Sequence, residues 1–125
     1  MLPLSLYEYR ADLMRVIDGD TVVMDIDLGF GVWKRGETFR LYGINAPEMR
    51  GASKVEGQAA KTYLMALLMH QLEHTEPLFV RTHKADAQDK YGRYLATLML
   101  PSRLNVNGEM VRAGHAQPYM VEASL

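Results

Sequence analysis

The 125-residue sequence contains no cysteine, no long apolar run and no excess of basic residues. Without cysteine, a disulfide framework and a thiolate metal site are both excluded. The opening residues are apolar, but Glu8, Arg10 and Asp12 interrupt them before they reach the length of a signal peptide or a membrane span. The sequence therefore predicts no signal peptide and no membrane partner. Cytoplasmic location and secretion after processing of a longer precursor both stay open.

Because basic residues do not outnumber acidic ones, this protein has limited means of binding a polyanion. Lysine and arginine number 14 against 15 acidic residues, which gives a formal net charge of -1, whereas domains that bind nucleic acid through bulk charge are usually basic. Any phosphate contact must therefore come from a few local cations, and tight nonspecific binding to a duplex is disfavoured. The length suits a single core, so we expect residues 1–125 to form one domain and a monomer.

Two groups of strands are predicted on either side of a long helix. β-Branched residues favour strand over Leu13 to Asp27, interrupted by a turn at Asp18-Gly19-Asp20, and over Thr38 to Ile44. In the latter, alternation puts Phe39 and Leu41 on one face and Arg40 and Ile44 on the other. Two further strands are predicted, separated by a polar loop, over Leu78 to Thr82 and Tyr94 to Leu100.

Helical signals fill the segments between and after these strands. Ser53 and Glu56 match a capping box, and a helix of about four turns is expected to follow, ending by Pro77. Its buried stripe is predicted at helical spacing by Ala60, Tyr63, Leu64, Leu67, Leu68 and Leu72. A short helix is predicted over Val106 to Ala113, starting near Asn105 or Asn107, with Gly114 after its end. This order predicts a mainly β, α+β fold, a five-stranded OB-type barrel with two to three packed helices.

Polar residues concentrate in short segments at strand ends and turns. Carboxylates and arginines in such places suit the binding of a hard cation and a phosphate. The segments are Ile17-Asp18-Gly19-Asp20-Thr21, Thr38-Phe39-Arg40-Leu41, Tyr42-Gly43-Ile44-Asn45-Ala46-Pro47-Glu48, Asp89-Lys90-Tyr91-Gly92-Arg93 and Met110-Val111-Arg112-Ala113-Gly114.

Each of these residues also has a purely structural interpretation. An arginine inside an apolar strand, such as Arg40, needs a partner or a ligand, and a buried salt bridge to Glu48 would satisfy it. Glu48 alone suits a solvated loop, and Arg93 alone suits an exposed hairpin. Asp18-Gly19-Asp20 alone is typical of a tight turn.

Taken in order, the five segments resemble the staphylococcal nuclease (thermonuclease) family. A Gly-Gln-Ala-Ala segment at Gly57 to Ala60 adds to the resemblance, which spans Leu13 to Ala116. The resemblance implies a calcium-dependent phosphodiesterase that cleaves DNA and RNA between phosphorus and the 5′ oxygen. A noncatalytic nuclease-like domain that binds nucleic acid or protein is the rival interpretation, and an OB module for another ligand is a third.

The same resemblance assigns roles to nine residues. The catalytic set is Arg40, Glu48 and Arg93, with Glu48 either as general base or as the residue that positions water. Substrate contacts are assigned to Lys90, Tyr91 and Tyr119. One calcium ion is assigned to Asp20, Asn45 and the backbone carbonyl of Ala46.

Asn45 departs from the family, whose reference members have aspartate at that position. An asparagine keeps one oxygen ligand but removes a charge, and calcium affinity depends on ligand charge. We therefore expect weak calcium binding. Given the net charge, single-stranded DNA and RNA are expected as substrates in preference to a tightly bound duplex.

Overall fold

The computed structural model describes residues 7–73, 77–83, 89 and 91–119, and for residues 70–73 the backbone alone. The elements in this part of the chain follow in order. They are β1 (Glu8–Asp18), β2 (Thr21–Gly29), β3 (Val32–Leu41), β4 (Ile44–Asn45), a 3-10 turn (Gly51–Ser53), α1 (Lys54–Glu73), β5 (Leu78–His83), β6 (Tyr94–Met99), α2 (Val106–Arg112) and β7 (Gln117–Pro118).

Five of the strands close into a barrel in the order β1-β2-β3-β6-β5. Neighbours in the barrel are antiparallel except β3 and β6, which run parallel with Arg40 opposite Leu95. The short strands β4 and β7 form a separate two-stranded sheet. The predicted five-stranded barrel is therefore confirmed, and of the two to three helices predicted the described residues contain two α-helices.

The core fills the barrel and continues under α1. Phe39 and Leu41 are 2% and 1% exposed, as their alternation predicted. The fully buried side chains at the centre include Val22, Met24, Leu78, Val80, Ala96 and Leu98. On α1, Ala60, Leu64 and Leu68 are fully buried, and Tyr63 and Leu67 pack against the same cluster.

Several boundaries differ from the prediction. β1 begins at Glu8 rather than Leu13, and β3 begins at Val32 rather than Thr38 and ends at Leu41 rather than Ile44. Ile44 was predicted on the same face as Arg40 and opposite to Phe39 and Leu41, but it is 3% exposed and belongs to the core with those two residues. Gly43 explains this, because its φ of +80° turns the chain and breaks the strand alternation.

The long helix is longer than predicted and starts differently. α1 has 20 residues, which is more than five turns. Ser53 lies inside the 3-10 turn that leads into the helix, and its hydroxyl donates to the Glu48 carbonyl at 2.8 Å. The predicted capping box is therefore wrong.

The Leu72 side chain, predicted in the buried stripe, lies outside the described residues. No helix in the described part of the chain has the length and apolarity to span a membrane.

The short helix α2 has the predicted ends. The side chain of Asn105 accepts a hydrogen bond from the Gly108 amide at 3.0 Å, and Gly114 has a φ of +84°. Asn107, the alternative start, is buried instead and links α2 to the barrel. Its side-chain oxygen Oδ1 accepts a hydrogen bond from the backbone amide of Leu98 at 3.0 Å. Its side-chain nitrogen Nδ2 donates to the backbone carbonyl of Tyr42 at 2.9 Å.

A polar contact also joins the two helices. The Tyr63 hydroxyl on α1 donates to Oε2 of Glu109 on α2 at 2.7 Å, and Arg112 forms an ion pair with the same carboxylate. The hydrogen bonds from Arg112 and Tyr63 lower the pKa of Glu109 to about 2. Because this pKa is depressed in the folded state, the contribution to stability is present above the ordinary value of 4.5 and is lost as pH falls toward 2.

We therefore predict that Glu109→Gln lowers the urea midpoint of unfolding at neutral pH, and that the difference from wild type shrinks steadily below about pH 4.5. Urea titrations at neutral pH and near pH 3 measure this. Glu56→Gln on the exposed face of α1 is the matched control and should show a smaller, less pH-sensitive effect. A Glu109→Gln deficit that stays constant down to pH 3 would contradict the assignment.

Candidate functional site

A buried carboxylate joins separate segments of the chain where β2 begins. Asp20 is 7% exposed, and its Oδ2 accepts a hydrogen bond from the Ala46 amide at 2.8 Å. Its Oδ1 accepts from the Thr21 hydroxyl at 3.0 Å. Burial raises the pKa of the Asp20 carboxyl and a side-chain hydrogen bond with Asp18 raises it further, whereas the Ala46 amide and the Arg40 charge lower it. Asp20 thereby fixes the segment around Ala46 against β2.

The guanidinium of Arg40 lies against this carboxylate. Its NH1 is 3.2 Å from Oδ2 of Asp20 and donates to the Ile44 carbonyl at 3.0 Å, and its NH2 donates to Oδ1 of Asn45 at 3.1 Å. The Arg40 side chain is 14% exposed. The predicted need for a partner is therefore met by Asp20, and the suggested salt bridge to Glu48 is wrong.

Two oxygen atoms from separate segments converge on one positive group. Oδ2 of Asp20 and Oδ1 of Asn45 both contact the Arg40 guanidinium, and carboxylate and amide oxygens are the ligand types that calcium prefers. Their total charge is that of one carboxylate, and no group of three or more histidines or acidic residues suited to a metal occurs among the residues described. The donors therefore fit a calcium ion in chemistry but offer it little charge.

The strand β7 brings the C-terminal segment to Arg40. The Tyr119 amide donates to the Gly43 carbonyl at 2.8 Å, which extends the pairing of β7 with β4. The Arg40 guanidinium carbon lies 5.9 Å from the centroid of the Tyr119 ring, and this residue is 48% exposed. Tyr119 thus lies beside Arg40 with an open surface.

Arg93 is held by a carboxylate of its own. Oδ2 of Asp89 accepts from Nε of Arg93 and lies 2.9 Å from NH2. Oδ1 of Asp89 accepts from the backbone amides of Tyr91 and Arg93. Burial raises the pKa of Asp89, but these hydrogen bonds and the charge of Arg93 outweigh it, so the pKa is lowered overall. The residue that orients Arg93 is therefore ionised at neutral pH.

The sequence interpretation gave Asp89 no role, although the signal was present. Opposite charges four residues apart, with Gly92 (φ +78°) between them, favour a turn closed by an ion pair. The Arg93 guanidinium carbon also lies 5.0 Å from the centroid of the Tyr91 ring, and Tyr91 is 69% exposed. Lys90, the third predicted member of this segment, lies outside the described residues.

Strand register relates the two arginines. Arg40 is opposite Leu95 in the β3–β6 pair, and Arg93 precedes Leu95 by two residues. Opposed residues share a face and side chains alternate along a strand. Arg93 directly precedes β6, and continuing the alternation by this one residue puts Arg93 on the same outer face of the barrel as Arg40. Each has a carboxylate partner, and their side chains are 14% and 26% exposed.

Glu48 differs from these residues in being largely open to solvent. Its side chain is 77% exposed, and Nε of Arg50 lies 4.0 Å from Oε2. Glu48 lines a cleft together with Asp18, Met49 and Arg50. Pro47 alone separates it from Ala46, whose amide is fixed by Asp20. The Glu48 backbone is therefore fixed, whereas its carboxylate is accessible to water and to ligands.

Two glycines let helix α1 approach this region closely. A Cβ added at Gly57 would lie 2.3 Å from the Glu48 carbonyl oxygen. A Cβ added at Gly19 would lie 2.7 Å from Cβ of Ala60 and 2.8 Å from Cβ of Ala46. Such distances leave no room for a methyl group. The Gly57 to Ala60 segment thus sets the position of the Glu48 backbone.

Comparison with known proteins identifies the family to which this closed barrel belongs. Residues 38–124 match the family model described as staphylococcal nuclease homologue. The chain belongs to the staphylococcal nuclease family.

Its relatives include proteins named as endonucleases. An uncharacterized endonuclease of Escherichia coli O157:H7 is 33% identical over 118 residues, which cover 94% of this chain and 65% of that protein. Endonuclease YhcR of Bacillus subtilis is 30% identical over 122 residues, which cover 91% of this chain and 9% of that protein. An uncharacterized protein of Methanocaldococcus jannaschii, MJ1439, is 26% identical over 134 residues, 90% of this chain and 60% of that protein. The chain therefore spans less than two thirds of the length of these relatives.

The contact between Gly57 and Glu48 gives a testable prediction. Gly57→Ala should lower the free energy of unfolding by about 1–3 kcal/mol, because the methyl group overlaps the Glu48 carbonyl and the loop must move. Gly108→Ala in α2 is the matched control: its Cβ would lie 3.8 Å from the Asn105 side chain, an ordinary contact. Gly108→Ala should be neutral or stabilising by up to about 1 kcal/mol. Urea unfolding measures both, and equal effects of the two substitutions would contradict the close approach.

Proposed function

We propose that this chain is a calcium-dependent nuclease that hydrolyses the phosphodiester bonds of DNA and RNA between phosphorus and the 5′ oxygen. The observation that carries the proposal is the pair of arginines on one outer face, Arg40 and Arg93, each oriented by a carboxylate. The family and the relatives named as endonucleases support it.

The arginines bind and neutralise the phosphoryl group. A guanidinium donates to two phosphate oxygens at once, and donors that are already fixed need no reorganisation as charge develops in the transition state. Oδ2 of Asp89 contacts Nε and NH2 of Arg93, and the remaining guanidinium N–H groups can donate to a phosphate. Arg40 must exchange part of its contact with Asp20 for the substrate.

Glu48 acts on the attacking water. Its exposed carboxylate can accept a hydrogen bond from a water molecule that approaches the phosphorus, and it either orients that water or removes its proton. The two glycine-mediated contacts with α1 keep its backbone in place while the side chain stays accessible. Tyr91 and Tyr119, which lie beside Arg93 and Arg40, contact the bound nucleotide. Lys90 is proposed to contact its phosphate end.

Asp20 and Asn45, with the Ala46 carbonyl, would hold the calcium ion. When bound, calcium supplies positive charge that polarises phosphoryl oxygens. Removing Arg40 from Asp20 leaves a buried carboxylate unpaired, which costs roughly 3–5 kcal/mol. A cation at Asp20 offsets that cost, so we expect phosphate binding by Arg40 to be stronger in the presence of calcium.

The first test is hydrolysis of single-stranded DNA by the purified chain across a calcium titration, with EDTA as the blank. We expect calcium-dependent cleavage that Glu48→Gln abolishes, and Arg93→Ala should lower turnover by roughly 10²–10³-fold. Glu56→Gln and Arg15→Ala alter exposed residues of the same type and should leave turnover within about twofold.

The outcomes separate the proposal from its rival. Turnover that survives Arg93→Ala or Glu48→Gln would remove that residue from the mechanism. No cleavage by the folded protein at millimolar calcium, magnesium or manganese would favour the noncatalytic binding domain.

Asn45 makes a separate prediction about the metal. Asn45→Asp should tighten calcium binding by roughly tenfold or more, because it adds a charge to the oxygen that faces the Arg40 guanidinium. Isothermal calorimetry on both proteins measures it. Asn105→Asp is the matched control, since aspartate caps a helix as well as asparagine and this cap belongs to α2. Submicromolar calcium binding by the wild-type chain would contradict the weak site.

A further inference from the structure

The barrel carries an aromatic pair that the proposed reaction does not use. The rings of Tyr42 and His83 are stacked, with centroids 4.0 Å apart and planes inclined by 9°. Tyr42 follows the end of β3 and His83 ends β5, so the pair spans the strand between them, β6. Nε2 of His83 lies 2.8 Å from the Thr97 hydroxyl oxygen on β6. The pair is therefore attached to three strands, and both residues are half-buried.

Strand register puts this pair next to the arginines. Arg40 is opposite Leu95, and Leu95 is opposite His83, so these three residues form one row across β3, β6 and β5. Neighbouring strands lie about 4.8 Å apart, which separates the Cα atoms of Arg40 and His83 by roughly 10 Å. The side chains at both ends of the row extend over the same face. A phosphate at Arg40 and a base on the His83 ring would thus lie over the same face, two strands apart.

We propose that the Tyr42–His83 pair is a stacking site for a nucleobase of a single-stranded substrate, adjacent to the phosphate held by Arg40 and Arg93. Aromatic side chains accept any base on their faces, and such stacking selects unpaired strands because a paired base is already stacked on its neighbours. The inference rests on the proposed function and adds a reason why a protein without a basic excess would bind single strands.

The chemistry of the pair distinguishes it from a charge-based contact. Burial, with a smaller contribution from the Arg81 charge, lowers the pKa of His83 below its ordinary value of 6.5, so the neutral imidazole predominates at pH 7. A neutral ring beside a phenol attracts a base through stacking rather than through phosphate charge. The contribution of the pair to affinity should therefore vary little with salt, whereas the contribution of the arginines should fall as salt rises.

Binding measurements in EDTA, which prevents turnover, test the proposal. The probes are a fluorescent oligothymidylate and an abasic oligomer of equal length and charge, measured by anisotropy at two salt concentrations. The wild-type chain should bind the oligothymidylate more tightly by roughly five- to hundredfold. Tyr42→Leu and His83→Leu should remove most of that preference at both salt concentrations while leaving affinity for the abasic oligomer within twofold. Phe30→Leu, at an exposed position of the β2–β3 turn, should change neither.

A second measurement needs no substitution. In the wild-type chain, the assigned ring-proton NMR signals of His83 should move upfield on titration with adenosine monophosphate and should not do so with ribose phosphate. Tyr42→Phe, which keeps the ring, should retain the shift. This keeps the proposal testable even where the leucine variants do not fold.

The results separate this proposal from the proposed nuclease function. If the wild-type chain binds both oligomers equally well, the stacking site is overturned and the nuclease proposal stands. The same holds if Tyr42→Leu and His83→Leu lower the affinities for the two oligomers equally. An unmoved His83 signal at saturating adenosine monophosphate would also overturn it. Failure to bind or cleave either oligomer would overturn both.

Discussion

The buried carboxylate of Asp20 is the contact on which the arrangement of the site depends. It accepts from the Ala46 amide and pairs with Arg40, so it fixes the turn after β3 and the guanidinium on β3 at the same time. A buried charge without such partners would be costly. The segment that ends in Glu48 follows directly, and α1 packs on it through Gly57. The position of the proposed water-directing carboxylate thus depends on Asp20 at one end and on the absence of a side chain at the other.

Each proposed phosphate-binding cation is balanced within the chain. Arg40 has Asp20, and Arg93 has Asp89. Such pairing accounts for a nearly neutral protein that still presents guanidinium groups for a phosphate, because orientation substitutes for bulk charge. The two pairs differ in one respect. Asp89 also accepts two backbone amides and is part of a turn, so we expect it to stay with Arg93 during binding. NH1 and NH2 of Arg40 already contact Asp20 and Asn45, so a phosphate would have to displace part of these contacts.

The sequence predicted most of the barrel and the separate segments of the site, but not the contacts between them. β-Branched runs and the buried stripe of α1 follow local periodicity, which is why Phe39, Leu41 and Leu64 are buried as expected. The face predicted for Ile44 was wrong because Gly43 turns the chain, so the strand alternation does not continue to Ile44. The pairing of Arg40 with Asp20 rather than Glu48 follows from the register of the β2–β3 hairpin, in which Thr21 is opposite Arg40. Strand periodicity alone does not fix that register. The role of Gly57 needs the tertiary position of Glu48, so spacing alone could not supply it.

The internal pairing also explains how Asn45 bears on metal binding. In this chain the Arg40 guanidinium already balances the charge of Asp20 and occupies the amide oxygen of Asn45. A calcium ion must therefore compete with a cation that is attached to the same barrel, and a tethered competitor acts at a high effective concentration. A second carboxylate at position 45 would leave one negative charge after the pairing with Arg40, and that charge would remain to attract the ion. With asparagine no such charge remains, so we expect metal binding to depend on the substrate phosphate drawing Arg40 away from Asp20.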